Sequence, residues 1–149
     1  MAIRVPDQVV DDPLPLKPKF TTQARIINQG EKVAIVAVGS TFPLAQKVVN
    51  TLQTHQINAT LIDPVCVSDL DEKLLNTLTK NHTLVITLEE GALNGGFGQK
   101  IAAYFGDCDI KVKNFGFTKG LTHDFEPEAF LKLNGLTVKN ITDYILKNQ

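Results

Sequence analysis

Two glutamates and three glycines come closest to an arrangement that can do chemistry. Glu89 and Glu90 follow the apolar run Thr83–Leu88, and Gly95, Gly96 and Gly98 come directly after them. A strand, a glycine turn and a helix can hold a phosphate at the helix N-terminus. Here, however, Ile101 stands where the third glycine of a dinucleotide fingerprint belongs. The motif also follows the fourth strand rather than the first, and no acidic residue ends the next strand in the expected way. Close packing of a helix on a sheet explains the glycines equally well, so dinucleotide binding is not expected. Adjacent side chains at a strand end point in opposite directions, which makes Glu89 and Glu90 a poor acid–base pair. One of them is expected to cap the following helix or to meet a cation of a neighbouring domain. The segment is read as a structural and interfacial loop.

The other reactive side chains are scattered. Ser40 follows Gly39, but no G-x-S-x-G elbow surrounds it, so a helix cap is expected there. His55 and His82 fall in predicted surface turns. His123 lies in the polar stretch Thr122-His123-Asp124 after the last strand and is a candidate for the edge of an active site. Cys66 and Cys108 lack C-x-x-C spacing and are read as buried, inert thiols. No cluster of Cys and His suggests a metal site, and no residue is assigned as catalytic.

The elements that must position these residues alternate along the chain. Gln23–Asn28 reads as a short strand, and Val33–Val38 as a strand buried on both faces. A helix capped by Ser40 or Thr41 follows, with Pro43 in its first turn and Leu44, Val48, Val49 and Leu52 on one face. Ala59–Asp63 is the next strand, ended by Pro64. Ser68 or Asp69 is predicted to cap a helix that Asp71, Glu72 and Lys80 support through the helix dipole. Thr83–Leu88 is a strand, and Phe97, Ile101 and Phe105 mark a helix. Ile110–Phe117 is the last strand, with a bend expected near Asn114 where the apolar parity changes. Two helices close the chain, one after Pro127 and one capped by Thr137. Alternating strands and helices imply parallel βαβ units with helices on both faces. The first strand lacks a crossover helix and is expected at an edge, in the antiparallel sense.

Before that strand, Pro6, Pro13, Pro15 and Pro18 crowd a short polar stretch. Residues 1–22 therefore read as the end of a preceding domain plus a proline-rich linker, and 23–149 as one domain. With 43% hydrophobic residues, 21% charged residues and a net charge of −1, the chain has the composition of a globular protein without a basic patch for nucleic acid or anionic membrane. The longest clear apolar run, Val33–Val38, is too short to span a bilayer. Asp7, Asp11 and Asp12 stand where a signal peptide would be apolar. A cytoplasmic location is expected.

The order of these motifs is similar to the C-terminal domain of the transketolase-like thiamine-diphosphate enzymes. Leu61-Ile62-Asp63-Pro64, Leu70-Asp71, Leu84-Val85-Ile86-Thr87-Leu88-Glu89-Glu90 and Gly95-Gly96-Phe97-Gly98 carry the resemblance. Gly135-Leu136-Thr137 with Asn140-Ile141, and Ala2-Ile3-Arg4-Val5-Pro6, resemble the 1-deoxy-D-xylulose-5-phosphate synthase branch. The resemblance implies a three-layer α/β/α domain whose five-stranded, mostly parallel mixed sheet has one antiparallel edge strand. It implies a parent transferase, a homodimer, that condenses pyruvate with glyceraldehyde 3-phosphate for isoprenoid precursors. Thiamine diphosphate and Mg2+ would be held by the parent's remaining domains and not by this one, which would be inactive alone. Arg4 matches the family's arginine for the substrate phosphate. The loop Gly116–Asp124 keeps His123 but departs from the family pattern around it. The same domain of a transketolase, or of a 2-oxoacid dehydrogenase E1 β subunit, is an alternative. A freestanding anion-binding module built on the Gly39 and Gly91 loops is another.

Overall fold

The computed structural model describes residues 22–118 and 126–149. Five strands form one sheet: β1 (Arg25–Asn28), β2 (Lys32–Ala37), β3 (Thr60–Asp63), β4 (His82–Ala92) and β5 (Lys111–Phe117). Their order is β1-β3-β2-β4-β5. The β1–β3 pair is antiparallel and the other pairs are parallel. The helices are α1 (Phe42–Thr54), α2 (Glu72–Leu78), α3 (Phe97–Tyr104), α4 (Pro127–Leu133) and α5 (Val138–Asn148).

Alternate side chains of the central strands feed two cores, which is why their sequences are apolar throughout. Val33 and Ile35 of β2 and Leu84, Ile86 and Leu88 of β4 pack with α1 and α5 on one face. Ala34 and Val36 of β2 and Val85 of β4 pack with α2 and α3 on the other. The three expected layers result.

Several local expectations are corrected. β4 does not stop at Leu88 but continues through Glu89, Glu90 and Gly91 to Ala92. The bend expected near Asn114 is absent, because β4 and β5 pair residue for residue from Leu84↔Lys111 to Leu88↔Phe115. The irregularity lies on β4, between Leu88 and Ala92. Val112 packs into one core and Phe115 and Phe117 into the other, so the parity change reflects two buried faces, not a kink. The cap of α2 is Asp71, whose carboxylate accepts the N–H of Leu74 at 3.1 Å, rather than Ser68 or Asp69. Asp71 also accepts the N–H of Ala24 at 3.1 Å, which ties the entry of β1 to α2. His82 is not in a surface turn: it opens β4 and is 6% exposed. Neither thiol is fully buried; Cys66 is half-buried and Cys108 is exposed. Among the described residues, no helix is long and apolar enough to cross a membrane.

Candidate functional site

In an open α/β sheet, ligands favour the crevice at the carboxyl ends of strands whose connections leave in opposite directions. That point lies here between β2, which leads to α1 on one face, and β4, which leads to α3 on the other. The protein's own groups bridge it. The N–H of Val38 donates to the carbonyl of Leu88 at 2.9 Å. The hydroxyl of Thr41 lies 3.0 Å from both the Leu88 and the Val38 carbonyls. Thr41 stands at the N-cap position of α1, but its side chain accepts no helix N–H, and Ser40 lies in the 3-10 turn Gly39–Thr41 before it. The cap expected from the sequence is thus replaced by a strap across the crevice.

The second strand-end group, Glu89, is 6% exposed. Its Oε2 accepts the N–H of Phe97 at 2.8 Å and its Oε1 that of Gly98 at 2.9 Å. Those amides belong to the first turn of α3, where unpaired N–H groups and the helix dipole favour an anion. The position at which a ligand phosphate can bind is filled by a side chain of the protein.

The glycines shape this arrangement. A Cβ on Gly96 would lie 2.7 Å from both Glu89 carboxylate oxygens and 2.5 Å from the Ala92 carbonyl. A Cβ on Gly98 would overlap Thr87 Oγ1 and stand 2.7 Å from Asn114 Cγ. Gly95 adopts φ +78°, and its N–H donates to Gln99 Oε1 at 2.7 Å. Glu90 follows Glu89 on β4 and is half-buried. Arg4 and His123 lie outside the described residues.

Sequence reasoning missed the partners that complete the site. The Thr87 hydroxyl donates to Asn114 Oδ1 at 2.9 Å beneath Gly98. Gly116 lets β5 approach the irregular part of β4, since a Cβ there would lie 3.0 Å from the Gly91 carbonyl and 3.2 Å from Glu89 Cγ. A polar residue facing a glycine across two apolar strands is the signal, but it is visible only once the register Thr87↔Asn114 is known. Among the described residues, no three His, Cys, Asp or Glu side chains are grouped to hold a metal ion.

Comparison with known proteins gives consistent matches. A family model described as "Transketolase, C-terminal domain" matches residues 22–141. A 1-deoxy-D-xylulose-5-phosphate synthase of Chlamydia trachomatis serovar L2 is 32% identical over 154 residues, covering 99% of this chain and 24% of its own length. The synthase of Francisella tularensis subsp. novicida is 32% identical over 129 residues, with 84% and 20% covered. The chain thus spans about a quarter of the length of these curated relatives. Among solved structures, a split-gene transketolase described as an inactive β4 tetramer superposes with TM-score 0.81 at 25% identity, covering 91% of this chain and 46% of that one. The transketolase of Campylobacter jejuni shares the fold, at TM-score 0.62 and 15% identity, with 85% and 18% covered.

Proposed function

Because the chain belongs to the transketolase C-terminal domain family, we propose that it is the assembly domain of a thiamine-diphosphate-dependent transferase of the 1-deoxy-D-xylulose-5-phosphate synthase type. Alone, it carries out no chemical step. The parent would make 1-deoxy-D-xylulose 5-phosphate, the product in the relatives' name, and the resemblance implies pyruvate and glyceraldehyde 3-phosphate as its substrates. The observation that carries this reading is the state of the strand ends. Both oxygens of Glu89 bond to α3, and Thr41 straps the β2–β4 crevice. An enzyme that works at this edge needs those groups free.

The described residues do not fit a diphosphate. The helix terminus best suited to one is occupied by Glu89, so no step is routed through the cofactor here. In this reading, residues 1–22 are the end of a preceding domain and its linker, with Arg4 directed to the substrate phosphate. His123 stands at the edge of the parent's active site. The Glu89–Gly98 segment faces the rest of a homodimeric parent in the cytoplasm.

The test is a turnover assay of the isolated chain with pyruvate, glyceraldehyde 3-phosphate, thiamine diphosphate and Mg2+. No product above blank is expected, and no thiamine diphosphate binding at micromolar concentration. Product formation by the isolated chain would overturn the proposal. The similarity to a split-gene transketolase favours a second reading, in which the parent transfers a ketol unit between sugars. Fusing the chain to its upstream sequence and offering both substrate sets separates the two.

A further inference from the structure

The tripeptide Leu-Asn-Gly occurs twice in the chain, as Leu93-Asn94-Gly95 and as Leu133-Asn134-Gly135. When Gly follows Asn, no Cβ obstructs the approach of the next backbone nitrogen to the side-chain carboxamide. Both glycines have a left-handed backbone, at φ +78° for Gly95 and +76° for Gly135. The two copies are therefore matched in sequence and in glycine conformation, and they differ in their surroundings.

Asn134 is pinned. Its Oδ1 accepts the Thr118 N–H at 3.1 Å and lies 3.3 Å from the Thr118 hydroxyl, and its Nδ2 donates to the Phe130 carbonyl at 3.0 Å. The Gly135 N–H donates to the Lys132 carbonyl at 3.1 Å, where α4 ends. Carboxamide and nitrogen are both committed elsewhere, and both residues are half-buried. Asn94, by contrast, is exposed, and among the described residues no hydrogen bond holds its carboxamide. The turn around it is closed by the Gly96 N–H on the Leu93 carbonyl at 3.4 Å, longer than an ordinary hydrogen bond. The Gly95 nitrogen keeps one restraint: its N–H donates to Gln99 Oε1 at 2.7 Å.

We propose that Asn94 is a site of spontaneous covalent modification, deamidation through a cyclic imide, that Asn134 is protected from it, and that Gln99 is its brake. The Gly95 N–H leaves Gln99 and gives its proton to hydroxide. The nitrogen attacks Asn94 Cγ; the N–Cγ bond forms, the Cγ–Nδ2 bond breaks, and ammonia departs with a proton taken from water. A second water then opens the imide. Opening at Cγ leaves an aspartate side chain on the original backbone. Opening at the backbone carbonyl leaves an isoaspartyl linkage, in which the chain runs through Cβ and Cγ. In the balance one water is consumed, one ammonia is released and one carboxyl group is gained. The new charge, and in the isoaspartyl form an extra backbone atom, arise just before the helix turn in which Glu89 holds Phe97 and Gly98. The inference concerns the chain as it stands, with this loop exposed, and holds whichever reaction the parent performs.

The test is to incubate the full chain in mildly alkaline buffer and to map its peptides by a method that resolves Asn, Asp and isoaspartyl at both positions. In the native protein Asn94 is expected to convert at least about tenfold faster than Asn134, because several hydrogen bonds must break before Asn134 can react. In concentrated urea the two rates should converge, since both sites are then the same tripeptide in an unfolded chain. The exposed-site variant Gln99→Ala should speed conversion of Asn94 by about threefold or more, the worth of one hydrogen bond, and leave Asn134 unchanged. Equal native rates, a faster Asn134, or a difference that persists undiminished in urea would overturn the proposal. An unchanged Asn94 rate in Gln99→Ala would overturn the role given to Gln99.

Discussion

Glu89 and Gly98, nine residues apart, are joined by a hydrogen bond of 2.9 Å from the Gly98 N–H to Glu89 Oε1, and the second carboxylate oxygen holds Phe97 in the same way. Both acceptors are needed by a buried helix start. Glu89→Gln puts an amide N–H2 against one of the two donors and removes an acceptor. Urea unfolding of the isolated chain should show a loss of about 1–3 kcal/mol. Hydrogen exchange should place the loss at the first turn of α3. An unchanged midpoint would mean that the side chain is free for other work.

Gly98→Ala should be costly for a different reason. The added methyl overlaps the Thr87 hydroxyl and presses on Asn114, which lie opposite each other on the paired strands β4 and β5. Overpacking of this kind costs about 1–3 kcal/mol. Adding Thr87→Ala removes the obstructing hydroxyl, so the double variant should lose less than the sum of the singles, by at least about 0.5 kcal/mol. Strict additivity in a double-mutant cycle would count against the contact.

His82 gives the domain an acid-sensitive point. The Thr60 hydroxyl donates to the Gly30 carbonyl at 3.0 Å and accepts the Gly30 N–H at 2.9 Å. This leaves it able to accept from His82 Nε2, 2.8 Å away. Nε2 therefore carries the proton of the neutral ring, and buried Nδ1 has no hydrogen-bond partner. Burial pushes the His82 pKa below its ordinary value, although the nearby Leu78 carbonyl and the Glu31 charge pull the other way. The unfolded chain, with an ordinary value of about 6.5, takes up the proton first. The stabilisation is thus full above about pH 6.5 and is lost as the pH falls from there through the lower folded value. The unfolding free energy of wild type should drop more between pH 7.5 and 5.5 than that of His82→Gln. Parallel curves would exclude the effect.

Asp71 holds Leu74 of α2 with one oxygen and Ala24 with the other. Asp71→Ala should cost about 1–2 kcal/mol, at the upper end for a helix cap because a second N–H is also released. Asp71→Asn keeps an acceptor for α2 and should recover part of the loss. Faster exchange of the β1 amides in the alanine variant alone would identify the second role.

The layers and strand directions were legible because Val33–Val38 and Thr83–Leu88 are apolar at nearly every position, which only a strand covered on both sides requires. The separation of Leu44, Val48, Val49 and Leu52 likewise placed α1. Local chemistry was less legible where a residue type suited two jobs. Thr41 reads as a cap, but its hydroxyl is drawn to the Leu88 carbonyl, a partner 47 residues away. Asp71 rather than Ser68 or Asp69 caps α2 because the helix begins only at Glu72, and its second oxygen holds Ala24, again a distant partner. His82 reads as a polar surface residue until Thr60 is known to stand beside it. The cap formed by Glu89 was one of two open readings, and the register of β4 against α3 decided it.

The position of β1 has a consequence for biosynthesis. It is the first strand of the described domain, yet it pairs only with β3, and Arg25 must wait 38 residues for Asp63. At a translation rate of about 5–20 residues per second, that is a delay of roughly 2–8 s during which β1 has no sheet to join. β2 and β3 can pair with each other as soon as both have emerged. β3 is the common partner of β1 and β2, so the sheet can begin only when β3 emerges, and the Arg25–Asp63 ion pair can form no earlier than that.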